Sequence, residues 1–353
     1  MLTFRTIKKI SAKEVIIFSC FILVQRGFYR LLSLLLENYP RNITRRRRTV
    51  LREISRKPKK YKNKKTKSKV FSQLGSQKQY FTGANESSFS LAPYHLEELE
   101  KSCIDKEIIG LNFKSLSGNT TLEYLLYSAK IPRTNTGRIS TGTLRKYSHC
   151  LDGGWWVSGV DVIELKDSLW GQFKPDKPRI DQSKGKYIKY EAPPKIPTQI
   201  IALKIPVSTW EQIARRYSLP LPDNYKQVDT QPSIFWKWVI DNPTIPIIIT
   251  EGAKKAGAIF SCNYVAIALP GINSGYRTPK DEEGDVVGLP FLIPQLQVFA
   301  SPTRPIYFCF DQDDKRTTRQ NVKKAISKTS KLFKKFGSQP WIISWNRKCG
   351  KGI

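Results

Sequence analysis

The residues of this chain best suited to chemistry are three carboxylates, each placed at the end of an apolar run. Pro246-Ile-Ile-Ile-Thr250 runs into Glu251-Gly252-Ala253-Lys254-Lys255, and Pro305-Ile-Tyr-Phe-Cys-Phe310 runs into Asp311-Gln312-Asp313-Asp314-Lys315. Short β-branched or aromatic runs that stop at charge read as buried parallel strands delivering acids to one edge of a sheet. In open α/β sheets, ligands collect outside the carboxyl ends of the strands. Asp311 and Asp313 stand two residues apart, so on an extended segment they project to one side. With Glu251 they form an oxygen-only donor set suited to a hard cation, Mg²⁺ or Mn²⁺. The other reading of the same acids is helix capping and ion pairing on a basic protein.

These carboxylates need elements to hold them, and the last third of the chain supplies an alternating order. The pattern predicts strand 245–250, helix 253–261, strand 264–269, a loop over 270–288, helix 290–300, strand 305–310, helix 319–336 and strand 339–344. Alternation of this kind implies right-handed crossovers and a parallel sheet. In the last helix, Val322, Ala325, Ile326, Leu332, Phe333 and Phe336 recur at helical spacing between lysines, giving an inner apolar face and an outer basic one. Upstream, Ile200 to Val207 reads as a strand, Ser208 with Glu211 as a capping box, and Ile234 to Ile240 as a short buried helix. Trp155-Trp156 and Trp170 lie beside Lys and Arg. That interleaving suits a single-strand stacking surface if the rings are exposed, and a core if they are not.

Charge is the strongest compositional statement. The 353 residues carry 60 Lys and Arg against 29 Asp and Glu, a formal net charge of +31, which points to a polyanionic partner. From Arg41 to Lys69 there are fifteen Lys or Arg and one acid, Glu53. This block, with Arg45, Arg46, Arg47 and Arg48 at its head, cannot build a core and reads as a disordered phosphate-seeking arm. The expected organisation is an apolar or amphipathic segment over 1–40, the arm and a polar linker over 41–90, an α+β domain with Trp/Arg-rich loops over 91–240, and the α/β domain over 241–353. The apolar run Val15 to Val24 is interrupted by Gln25, Arg26 and Arg30, too soon for a confident span, so no membrane partner is expected. Six scattered cysteines and two histidines, His95 and His149, give neither a disulfide framework nor a zinc site, and no Ser-His or Cys-His couple is visible.

The order strand-Glu-Gly-x-x-Lys-helix, then strand-Asp-x-Asp, resembles the Toprim domain of bacterial primases and type IA and II topoisomerases, matching at Glu251, Gly252, Asp311 and Asp313. More narrowly, the stretch from His95 to Ile353 resembles cyanobacterial plasmid replication proteins that carry the domain called DUF3854. The words that carry this are Ile248-Ile-Thr-Glu-Gly-Ala-Lys-Lys-Ala256, Ala268-Leu-Pro-Gly-Ile272, Tyr307-Phe-Cys-Phe-Asp-Gln-Asp313, Lys315-Arg-Thr-Thr318, Asn321-Val322 and Gly350-Lys-Gly-Ile353.

The resemblance implies a Toprim-like parallel sheet flanked by helices, and a cytoplasmic, nucleoid- or plasmid-associated role in DNA replication. It also implies a Mg²⁺-dependent site for nucleotidyl transfer. In that chemistry divalent ions neutralise the attacking 3′ oxygen and the pyrophosphate leaving group. Glu251, Asp311 and Asp313 would be both the catalytic and the metal-holding residues, with Glu251 alternatively a general acid or base. Lys254, Lys255, Lys315 and Arg316 would meet phosphates, the first two helped by a helix N-terminus. Asp314 is either an outer carboxylate of the site or a solvent-facing acid. Such relatives continue into a further acidic segment and a helicase-like ATPase region. No G-x-x-x-x-G-K-[ST] phosphate loop occurs here, so a C-terminally truncated chain is expected, with the ATPase supplied by another chain or the missing region. The competing expectation is a catalytically inactive, DNA-binding replication-initiator fragment, and either leaves the chain's enzyme status open.

Overall fold

The two apolar runs that end in acids pair with each other. The computed structural model describes residues 91–345. The expectations for residues 1–90, Arg45 to Arg48 among them, and for the closing Gly350 to Ile353, lie outside the described residues.

The described chain begins with α1 (Pro93–Glu100), α2 (Lys106–Asn112), β1 (Phe113–Leu116) and α3 (Gly118–Leu125), followed by β2 (Gly154–Val157) and β3 (Gln172–Pro175). β1, β2 and β3 form an antiparallel sheet with β2 in the middle, and Lys114 is registered against Trp156. Next come α4 (Val207–Tyr217) and α5 (Ser233–Asp241). The second sheet is built from β4 (Ile247–Glu251), α6 (Ala253–Ser261), β5 (Ala266–Leu269), β6 (Pro305–Cys309), α7 (Arg316–Lys335) and β7 (Gln339–Ile342). Its four strands are all parallel, in the order β7-β6-β4-β5.

That order fixes where a ligand can sit. From β4 the chain crosses through α6 to β5 on one side; from β6 it crosses through α7 to β7 on the other. The connections therefore diverge between β4 and β6, and the carboxyl ends of those two neighbours frame the crevice of the sheet. β4 is buried along Ile247 to Thr250 because it is an inner strand covered on both faces, which is why its sequence is continuously apolar rather than alternating.

One apolar core runs from α1 and α2 to the parallel sheet. It includes Leu99, Ile109, Trp155, Trp210, Phe235, Trp236, Ile249 and Phe308. The segment expected as a strand over 200–207 contributes a single antiparallel bridge, Ile201 with Ala268 of β5, and the indole of Trp236 donates to the Leu203 carbonyl at 2.9 Å. A smaller cluster around Leu125, Tyr147, Cys150, Trp156 and Phe173 lies under α3.

Arg304, one residue before β6, is 1% exposed. Its guanidinium donates to the carbonyls of Val239 and Ile240 at the end of α5 (2.6 and 3.1 Å) and to Ile245 before β4 (2.9 Å). Helix C-termini leave carbonyls without intrahelical partners, and here one buried cation collects them. Burial pushes the Arg304 guanidinium down to about 10, still charged at neutral pH.

Two local expectations give way to tertiary structure. α4 has Pro206, not Ser208, at its cap position; Ser208 Oγ donates to Glu107 at 2.9 Å, and Glu211 accepts from the Tyr225 hydroxyl at 3.0 Å instead of closing a capping box. The helix expected over 290–300 is one turn, Pro294–Gln297, because Phe291-Leu292 pairs with Tyr276-Arg277 and Pro294 disfavours helix at the residue before it. Of the two readings open to Trp155, Trp156 and Trp170, the core one holds: all three rings are buried and offer no stacking face to a strand.

Candidate functional site

Glu251 is the last residue of β4, and Asp311 lies two residues beyond β6. The register pairs Thr250 with Cys309, which sets Glu251 and Asp311 at neighbouring positions across the crevice between the two strands. Gly252 makes the turn into α6 with φ +86°, a conformation that a residue with a Cβ resists. Its amide donates to the Leu269 carbonyl at 2.9 Å, which ties the turn to β5. α6 then carries Lys254 and Lys255 in its first turn.

The two lysines face different partners. Lys255 Nζ makes a short ion pair with Asp311 Oδ1 at the crevice. Lys254 Nζ instead donates to Glu98 Oε1 of α1 at 3.0 Å. Glu98 Oε2 also accepts from Lys174 Nζ of β3 at 2.7 Å and from the Trp155 indole at 3.2 Å. Burial alone would raise the Glu98 carboxyl; the bonds from Lys174 and Lys254, the Lys254 charge and the Trp155 indole outweigh it and bring it from 4.5 down to about 2. This node joins α1, β3 and α6. No sequence signal could have shown it, because Glu98 and Lys254 are 156 residues apart.

Glu251 has the opposite character. Burial pushes its carboxyl up, opposed by the charge of Lys255 and reinforced by that of Asp311. Among the described residues no hydrogen bond or ion pair holds it. A carboxyl raised by burial beside a second carboxylate takes up a proton more readily than an exposed one.

Asp313 is placed differently from Asp311. Its Oδ1 accepts from the backbone N–H of Lys315 at 3.0 Å, so the carboxylate braces the turn into α7. Arg319, which sequence reading passed over, holds the same turn by donating to the carbonyls of Asp313 and Asp314. Lys315 and Arg316 are exposed at the start of α7, and Asp314 is exposed beside them. Among the described residues no three His, Cys, Asp or Glu side chains gather closely enough to enclose a metal ion. The structure thus brings Glu251, Asp311 and Lys255 together, leaves Asp313 on the adjoining turn, and turns Lys254 away to Glu98.

The histidines are structural. His95 Nδ1 meets Ser115 Oγ at 2.7 Å and Nε2 meets Asp176 at 2.8 Å, tying α1 to the antiparallel sheet. His149 lies 3.3 Å from Glu191, which also pairs with Arg179. Among the described residues no helix is long and apolar enough to cross a membrane.

Comparison with known proteins adds a family match over the parallel sheet. Residues 235–353 match the model of the family described as Domain of unknown function (DUF3854). An uncharacterized protein of Picosynechococcus sp. (strain PCC 7002) is 45% identical over 271 residues, covering 76% of this chain and 26% of that protein. The chain therefore spans about a quarter of the length of the curated relative it matches. Among solved structures, the zinc-binding and RNA polymerase domains of the Aquifex aeolicus primase align over 72% of this chain and 50% of that one, at 12% identity and a TM-score of 0.39. That score is looser than a shared fold gives.

Proposed function

We propose that the chain is a DNA replication protein of the plasmid type, with a Toprim-like, Mg²⁺-dependent nucleotidyl-transfer site at the carboxyl ends of β4 and β6. The observation that carries this reading is the meeting of Glu251 and Asp311 across the crevice where the sheet's connections diverge. The DUF3854 match over 235–353 spans both strand ends and so supports reading them as one unit.

The donor set fits a magnesium ion in a limited way. Mg²⁺ keeps several waters and needs only one or two protein carboxylates beside substrate phosphates, and Glu251 with Asp311 supply two. Asp313 would add a third if its turn reopened. The ion would neutralise charge on phosphate oxygens. Lys255, which now neutralises Asp311, would pass to a phosphate when a cation takes its place, and Lys315 and Arg316 would meet the strand at the start of α7. Glu251, whose carboxyl burial raises above the ordinary glutamate value, would give or take the proton at the 3′ hydroxyl. The expected compartment is the cytoplasm, on plasmid or nucleoid DNA, with a helicase-type ATPase as a partner.

A second reading has its own observation. Lys255 occupies Asp311 and Asp313 braces a turn, so the same edge reads as a DNA-binding surface without chemistry. Calorimetric titration of Mn²⁺ and Mg²⁺ into the full chain separates the two. Under the catalytic reading, metal binds, Asp311→Asn abolishes binding, and primer synthesis on single-stranded DNA disappears with it. Intact DNA affinity with no metal binding in the parent chain would establish the non-catalytic reading.

A further inference from the structure

A second concave site lies away from the strand-end crevice. It is a half-open cleft of about 530 Å³ between α3, β1, the end of β2 and the hairpin before β3. That volume is in the range of small-ligand sites. Its floor is Trp156, fully buried, with Tyr124 packed edge-on to it at 5.3 Å between centroids. Lys114, opposite Trp156 in the antiparallel register and therefore on the same face, rises beside them. Its ammonium sits 4.3 Å from the Tyr124 ring centroid and donates to the Tyr124 hydroxyl. At the rim, Tyr127 is 37% exposed.

The charges in this cleft are not equivalent. Lys204 is neutralised by Asp167 at 2.7 Å. Lys114 has no carboxylate partner among the described residues; its only contacts are to a phenol and a ring face. An ammonium held over an aromatic wall, with Asp167 and Glu123 at the margins of the same cleft, suits a ligand with one negative charge and a flat ring. A free nucleoside triphosphate brings three or four negative charges toward two carboxylates and a single unpaired cation. A phosphodiester brings one.

We propose that this cleft holds one nucleotide of a single-stranded nucleic acid, with its base against Tyr127 and Tyr124 and its phosphodiester on Lys114. Glu123 then offers an acceptor to the amino edge of the base. The site uses the stacking-plus-cation pattern of single-strand binding. It does not depend on chemistry at Glu251 and Asp311.

Photocrosslinking of the full chain to an oligonucleotide carrying 5-iododeoxyuridine tests it, because that base couples to an aromatic side chain stacked on it. Salt of about 0.5 M suppresses purely electrostatic contacts of the 41–69 segment. The expected result is a crosslinked peptide containing Tyr124 or Tyr127. Its yield should fall about tenfold in Tyr127→Ala and several-fold in Lys114→Gln, following the usual cost of one lost stacking or phosphate contact. Asp311→Asn should leave it unchanged, so failure here and failure of the catalytic reading are separable. Crosslinks confined to other peptides, or a yield indifferent to both variants, overturn the proposal. Labelling of the same peptide by an azido-ATP that excess oligonucleotide does not displace overturns it in favour of a free-nucleotide site. Tyr127 is exposed, and circular dichroism of both variants confirms that loss of yield is not loss of fold.

Discussion

The parallel sheet treats charge in opposite ways at its two ends. Before β6, Arg304 is buried and its guanidinium feeds three backbone carbonyls from α5 and the approach to β4. Beyond the carboxyl ends of the same strands, the Glu251 carboxyl is raised by burial and has no hydrogen bond among the described residues, and Asp311 has one lysine. The satisfied end stabilises the fold. The under-satisfied end carries an electrostatic cost that a cation can relieve. Glu98 is an intermediate case: a carboxylate near the strand-end crevice, saturated by Lys174, Lys254 and Trp155, which fixes α6 against α1 and β3.

The contrast is most severely broken at the satisfied end. Arg304→Met keeps the volume but strands three buried acceptors, and at roughly 1 to 3 kcal/mol for each unsatisfied group the expected loss is about 3 to 5 kcal/mol. A shift of the urea midpoint, read by tryptophan fluorescence, measures it; a shift under about 1 kcal/mol would show that the guanidinium is not structural.

Glu98→Gln comes next, with an expected loss on the order of 1 to 2 kcal/mol at pH 7 after allowance for partial solvent screening. The pH dependence gives its signature. Because the folded carboxyl is lowered to about 2 from 4.5, its contribution is present above 4.5 and is lost as pH falls from there toward 2. Parent and variant should therefore converge in acid, in paired melts across that window.

At the strand-end crevice the sign reverses. Glu251 is raised in the fold, so its ionised form costs stability; that cost is absent below the ordinary carboxylate value and grows as pH rises through the folded one. Glu251→Gln should be at least as stable as the parent at pH 7 to 8, should match it near pH 4, and, under the catalytic reading, should lose nucleotidyl transfer. Thermal melts at the two pH values together with a primer-synthesis assay check both halves. A variant that is less stable at neutral pH would place Glu251 among the structural acids.

The smallest expected effect is at Lys255. Lys255→Gln removes the cation that competes for Asp311, and under the metal-dependent reading Mn²⁺ binds more tightly by on the order of tenfold, worth ~1.4 kcal/mol. Unchanged or weaker Mn²⁺ binding by calorimetry would mean that lysine and metal do not compete for this carboxylate.

Much of this was legible in residue order. The apolar runs of β4 and β6, the Gly252 turn, α6 and the amphipathic pattern of α7 are all local signals, since burial on both faces of a strand or one face of a helix writes itself into consecutive residues. The pairing of Glu251 with Asp311 was legible too, because parallel strands joined by crossovers must end on one edge. Other features were not legible, for a common reason. Residue order left open whether Trp155, Trp156 and Trp170 stack or fill the core, because exposure is decided by what packs over them, and they are core. Ser208 and Glu211 have capping-box spacing, yet Glu107 and Tyr225 bind them more favourably from elsewhere in the fold.

Sequence by itself determined which residues carry charge and where strands deliver it: an α/β chain of strong positive charge with a glutamate and an Asp-x-Asp segment at two strand ends. Only the tertiary structure decided which of those charges are spent. Lys254 and Lys255 are neighbours, but the helical turn between them sends one to Glu98 and the other to Asp311; Asp311 and Asp313 are two residues apart, but only one reaches the crevice while the other braces a turn. Partners separated by some 150 residues are brought together by packing, and packing is a property of the whole chain rather than of any segment of it.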